Sequence, residues 1–156
     1  PDDPTILNSI AVADQRLAVD TPNGRFWHRF DFDGYGEQRN GAPWDSFPPD
    51  SRATLGRAWP IFAGERGEDE RAAGASATAN LAAMAGAAND GYLIPEQVWD
   101  NQPPSGQPGF PPGEGTLSAT PLAWSHAQFV RLAWSIDAGH PVEQTTIVAC
   151  RYVRIC

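Results

Sequence analysis

Ile6, Ile10, Ala13 and Leu17 fall at helical spacing and give the first stretch of the chain one apolar face. Asp3 is a good cap for such a helix, and Pro4 suits its first turn, where a missing N–H is harmless. Thr21-Pro22-Asn23-Gly24 is a strong turn signal and marks its end. From Arg25 to about Ala53 no long periodicity follows; this stretch instead carries Trp27, His28, Arg29, Asp31, Asp33, Tyr35, Glu37 and Trp44. A second helix begins near Trp59-Pro60 and runs unevenly toward Gly74, weakened by Gly64 and Gly67. A third runs from about Ser76 to Asn89, with Leu81, Met84 and Ala88 as its buried stripe and Gly91 just past its end.

Gly91 to Ala119 is a loop rich in Pro and Gly, of a length usual for functional or disordered segments. The clearest helix comes next. Thr120 is placed to cap it, Pro121 to sit in its first turn, Leu122, Phe129, Leu132 and Ile136 to share a face, and Gly139 to end it. The β-branched tail, Thr145 to Ile155, reads as a short strand or an extended packing segment. Helices joined by long loops without an internal repeat place the chain in the all-α class.

Composition narrows the chemistry. At 156 residues the chain has room for one ordinary domain, and 41% hydrophobic with 19% charged residues argues against wholesale disorder. No apolar run approaches the ~18 residues that span a bilayer. The formal net charge is −8 and all 11 basic residues are Arg, so a phosphate backbone is a poor partner and nucleic acid is not expected. Cys150 and Cys156 are too few for a disulfide framework or a four-ligand zinc site; their spacing leaves both a short-loop disulfide and two separate thiols open. Pro1, with no initiator Met and no signal-peptide pattern, reads as a processed or truncated N-terminus.

Most standard chemistries find no support. Asp31-Phe32-Asp33-Gly34 resembles the start of a calcium loop, but the later ligands of that spacing are missing, so an acidic turn is the better reading. His28, His126 and His140 are scattered and make no zinc set; no metal and no organic cofactor is expected. Ser125-His126, adjacent on a helix, point apart and make no nucleophile pair. Gly34-Tyr35-Gly36 and Gly113-Glu114-Gly115-Thr116 lack a phosphate-loop lysine and are turns. What remains is carboxylates, Arg and Trp sharing loops, the set that suits sugar hydroxyls and C–H faces. Ile94-Pro95-Glu96-Gln97-Val98-Trp99-Asp100 is the best instance, with Gln97 in reach to hydrogen-bond and Trp99 to stack; by composition alone Glu96 is a solvated loop carboxylate.

The order of several segments says more than any one of them. His28-Arg29-Phe30 leads into Asp33-Gly34-Tyr35-Gly36-Glu37, then Gly56-Arg57-Ala58-Trp59-Pro60, Gly64-Glu65-Arg66-Gly67 and Ala72-Ala73-Gly74. Ile94–Asp100 follows, then Gly115-Thr116 and Ser118-Ala119-Thr120-Pro121-Leu122-Ala123-Trp124-Ser125-His126. From Pro4 to Tyr152 the chain resembles the C-terminal part of the catalytic domain in glycoside hydrolase family 15, the bacterial glucoamylase and glucodextranase group. The resemblance implies an (α/α)6 toroid and an inverting exo-hydrolase that removes glucose from non-reducing ends of α-glucans. Such chemistry needs two carboxyl groups about 6.5–9.5 Å apart, an acid for the leaving oxygen and a base for the attacking water. The resemblance makes Glu96 the base and Arg29 a ligand of the terminal glucosyl unit, with Tyr35, Trp59 and Trp99 as further pocket residues.

There are departures. The family commonly carries an H-Y-E-L run where this chain has Glu68-Asp69-Glu70-Arg71, a candidate for a solvated outer surface. Extra residues around Phe47-Pro48-Pro49-Asp50-Ser51 lengthen a loop expected to overlook the pocket, and Glu65 with Arg66 is a candidate buried pair in its wall. The family's general acid lies upstream of the region represented here. Twelve helices of about 12 residues with connections of about 6 need roughly 216 residues, so this chain is expected to form only part of the ring. The N-terminal remainder is then a separate or cleaved segment, and the enzyme is secreted or periplasmic. A glucosyl-transferring relative, an α-1,6-specific one and a non-catalytic sugar-binding fragment are the rival readings.

Overall fold

The computed structural model describes residues 1–43, 53–102, 104, 109–154 and 156. Trp44 and the Phe47–Ser51 insertion lie outside them. Helix α1 spans Pro4–Leu17, with Asp3 accepting from Thr5 N at 2.8 Å and Ile6 N at 3.4 Å, the cap expected from the sequence. An antiparallel ribbon follows: β1 (Ala18–Thr21) pairs with β2 (Gly24–Trp27) across the Pro22-Asn23 turn. A second ribbon joins β3 (Gly36–Gln38) to β4 (Thr54–Gly56). The all-α expectation is therefore corrected. Helices dominate, but two short ribbons precede α2, and the described residues do not themselves form a toroid.

Helices α2 (Pro60–Ala72), α3 (Thr78–Gly86) and α4 (Ala123–Ala138) pack on one another, and β2 lies against α2 and α3. The core joins Phe26 and Trp27 of β2 to Ala63 of α2, Ala83 and Met84 of α3, and Leu132 of α4, all buried. Gly64 and Gly67 do not simply weaken α2, because they let its neighbours approach. A Cβ at Gly64 would collide with Gln128 Cγ and lie 2.7 Å from Met84 Sδ; at Gly67 it would lie 2.8 Å from a Leu132 methyl. Gly64→Ala gains about 1 kcal/mol of helix propensity but overpacks a tight contact at about 1–3 kcal/mol. A net loss is expected, readable as a lower urea midpoint of the native protein.

Two further expectations are corrected. Thr120 does not cap α4: its hydroxyl donates to Ser118 O, and Leu122 holds the cap position without a side-chain bond. Gly139 ends the helix in the left-handed region (φ 79°), as expected. The tail is helical and not extended, with α5 at Thr146–Val148 running into a π-helical turn at Ala149–Val153. A disulfide joins Cys150 to Cys156, which resolves the two alternatives left open by their spacing. On the outer side of α4, Trp124 and Trp134 are 68% and 64% exposed.

Candidate active site

The Ile94–Asp100 segment has no regular secondary structure of its own, so its shape comes from what it is tied to. Ile94 N donates to His126 Nε2 (3.0 Å) and Ser125 Oγ donates to Pro95 O (3.1 Å). The Ser125-His126 pair, chemically idle as a nucleophile, thus fixes the approach to Glu96 from the first turn of α4. Glu96 N donates to Ala119 O at 2.9 Å, Gln97 N to Ser118 Oγ at 3.0 Å, and Val98 N to Ala58 O at 2.8 Å. Consecutive backbone donors thus find partners without a regular ladder, as buried backbone must.

Glu96 emerges from this frame half-buried, on the wall of a cleft of about 140 Å³ shared with Tyr35, Glu37, Gln97, Leu117 and Ser118. Burial pushes the Glu96 carboxyl above the ordinary carboxylate range. Hydrogen bonding to Gln97 and the charge of Arg29 oppose that shift, and the charge of Glu37 adds to it. A carboxyl of raised proton affinity is a stronger base toward a water molecule than a free carboxylate.

Arg29 adjoins the cleft through Tyr35. Its guanidinium forks onto Asp33, with Nε to Oδ2 and a terminal nitrogen to Oδ1 both at 2.7 Å, and it lies 4.7 Å from the Tyr35 ring centroid and 5.1 Å from that of Trp59. The bond to Asp33 holds Arg29 more firmly protonated than a free guanidinium. Asp33 therefore serves an arginine and its own turn, accepting also from Tyr35 N, as the acidic-turn reading requires. Among the described residues no cluster of His, Cys, Asp and Glu could hold a metal ion.

The expected residues do not all converge. Glu96 and Tyr35 share the cleft, and Arg29 and Trp59 lie against the Tyr35 ring. Trp99 is buried elsewhere, its ring 4.5 Å from that of Phe110 and beneath the Arg57 guanidinium at 5.0 Å. Gln97 is also committed: Oε1 accepts from Arg57 N and Nε2 donates to Tyr35 O, so it braces the cleft. Glu65 is exposed, and Arg66 pairs with Asp14 and Asp69, not with Glu65. Glu68, expected on a solvated face, instead accepts from Ser135 Oγ and Arg131 across the α2–α4 contact.

Sequence reasoning gave no role to Glu37 and Arg57. Arg57 follows β4, is fully buried and donates to Asp100 Oδ1 at 2.8 Å, with Nε 3.7 Å from Glu37 Oε2. A lone arginine inside the Gly56–Pro60 motif, amid residue types usually buried, was the available signal.

No protein-family model matches the chain. Over 153 residues it is 42% identical to the glucoamylase of Clostridium sp. (strain G0005), a match that takes in 98% of this chain and 20% of that protein. A solved bacterial glucoamylase complexed with acarbose has the same fold over 97% of this chain and 20% of its own, with a TM-score of 0.84 at 41% identity. The chain thus spans about a fifth of the length of the relatives it matches. Sequence and fold comparisons agree: over nearly its whole length the chain is similar to one stretch of these bacterial glucoamylases.

Proposed function

We propose that this chain is the C-terminal part of the catalytic domain of an inverting, exo-acting α-glucan glucohydrolase. Glu96 is its general base and Arg29, Tyr35 and Trp59 form part of the glucosyl pocket. The observation that carries this reading is the placement of Glu96: a braced, half-buried carboxyl of raised proton affinity in a cleft walled by Tyr35, with the Arg29 cation against that ring. In hydrolysis Glu96 takes a proton from the water that attacks the anomeric carbon, while an acid outside this chain protonates the leaving oxygen. Similarity to an acarbose-binding glucoamylase supports an α-glucan or α-gluco-oligosaccharide as substrate. The remaining helices and the acid belong to a segment outside this chain, a reading supported by its span of a fifth of its relatives and by the exposed Trp124 and Trp134 of α4. Trp99 serves this site from behind, as a packing surface for Arg57.

The test is proton NMR of the first product formed by the native, active preparation containing this chain, from starch, isomaltose and dextran. β-Glucose appearing before the α-anomer is the expected result. Release of α-glucose first, or of internal oligosaccharides, overturns the inverting exo reading. Products longer than the donor identify transfer, and preference for isomaltose and dextran identifies α-1,6 specificity. Recovery of the activity from culture medium or periplasm tests the secreted or periplasmic location.

A further inference from the structure

β3 is three residues long, and its middle residue turns a carboxylate inward: Glu37, paired with Leu55 of β4, is 5% exposed. An inward position on a strand ordinarily takes an apolar side chain, because an unpaired buried charge is costly. Arg57 faces Glu37, but the two do not close. Nε of Arg57 stands 3.7 Å from Glu37 Oε2, and neither Oε2 nor Nε has a hydrogen-bond partner, whereas Arg57 bonds Asp100 at 2.8 Å. The same fold shows what a closed arginine–carboxylate pair looks like, in the double 2.7 Å fork of Arg29 on Asp33. Glu37 is thus held near a compensating charge without being saturated by it.

Oε2 is enclosed beside Arg57, so what Glu37 offers a ligand is its other oxygen, Oε1. Glu37 lines the cleft of Glu96. Other polar side chains there are already engaged: Gln97 at both ends of its amide, and Ser118 Oγ by Gln97 N and Thr116 Oγ1. An acceptor-only group facing such a cleft suits a ligand that presents O–H donors. We propose that Glu37 is a specificity-determining residue that accepts a hydrogen bond from one hydroxyl of the sugar held against Glu96, with Arg57 as its charge partner. This rests on the functional reading above and adds a recognition contact to it. A site built to bond a hydroxyl rejects the analogue that lacks it, because its own polar group is then left unpaired.

The experiment is steady-state kinetics of the native, active preparation with a short α-gluco-oligosaccharide and its series of monodeoxy analogues. Glu37→Gln is expected to raise KM about tenfold to a hundredfold, the range for a hydrogen bond to a charged group, while kcat measured on the pH plateau, above the acidic limb set by Glu96, changes far less than KM. In the wild type one monodeoxy analogue suffers a similar loss; in Glu37→Gln that analogue suffers no additional one. An unchanged KM, or a deoxy series that ranks identically in variant and wild type, overturns the proposal. Should Glu37→Gln not fold, Glu37→Asp keeps the charge opposite Arg57 and withdraws the acceptor, and the same loss of discrimination is expected. Should the wild type release no glucose, the functional reading fails by itself. Glu37 is then judged by calorimetric binding of the same oligosaccharide to wild type and variant, where equal affinity overturns the contact.

Discussion

Glu96→Gln is expected to lower glucose release by about a hundredfold to ten-thousandfold, the range for loss of a positioned general base, while sugar binding survives. The amide has nearly the size of the carboxyl, and the bonds that brace the segment come from backbone and from Ser118, Ser125 and His126, none of which the substitution touches. Near-normal turnover would remove Glu96 from the mechanism. The wild-type pH profile carries a matching signature. The base must be ionised, and burial raises its pKa, so activity falls as pH drops through a value above the ordinary carboxylate range. Three side chains set that limb: Arg29 and Gln97 pull it down, and Glu37 pushes it up. Stability moves the other way. A carboxyl whose folded pKa is raised contributes stability below its unfolded pKa and loses that contribution as pH rises through the folded one. At neutral pH the wild type therefore bears a penalty that Glu96→Gln lacks, and the variant's Tm is expected to equal or exceed the wild type's.

Arg57→Met is expected to be strongly destabilising. Arg57 has 0% of its surface exposed and lies between Asp100 and Glu37, themselves 2% and 5% exposed. Methionine fills much of the volume and rests on Trp99, but leaves two buried carboxylates without their cation. Removing one partner of a buried ion pair costs about 3–5 kcal/mol, a large share of the roughly 5–15 kcal/mol that holds a domain folded. Asp100 would keep its contacts with His28 Nε2, 3.4 Å from Oδ2, and with Gln102 N, which donates to Oδ1 at 2.7 Å. The urea midpoint of the native protein checks this. The paired change Arg57→Met with Asp100→Asn should recover part of the loss, because it removes one of the two stranded charges. An unchanged midpoint in the single variant would mean that the charge is not dry.

The elements legible in the sequence are those whose cause is local. Asp3 capping α1, Pro60 opening α2 and Gly139 ending α4 depend on backbone groups within one turn of the residue concerned, so the residue type alone announces them. The ribbons were not legible because strands of three and four residues have no period to read, and their pairing is decided across the chain. The Ser118–His126 stretch was legible as a motif but not in its role. Its side chains hold Glu96's segment across 21 to 32 residues of sequence.

The candidate site divides along the same line. By itself the sequence determined which side chains are available: a carboxylate after Pro95, an arginine before an acidic turn, aromatics on the loops, and an order of motifs shared with the bacterial glucoamylases. Only the tertiary structure decided which of them meet. It set Tyr35 beside Glu96, withdrew Trp99 into the packing around Arg57, engaged Gln97 at both ends, and left Glu37 on the cleft wall without a closed bond to Arg57. Residue type fixes which bonds a side chain is able to make. Whether they are made within the fold or left for a ligand depends on neighbours distant in sequence, and only packing brings those neighbours together.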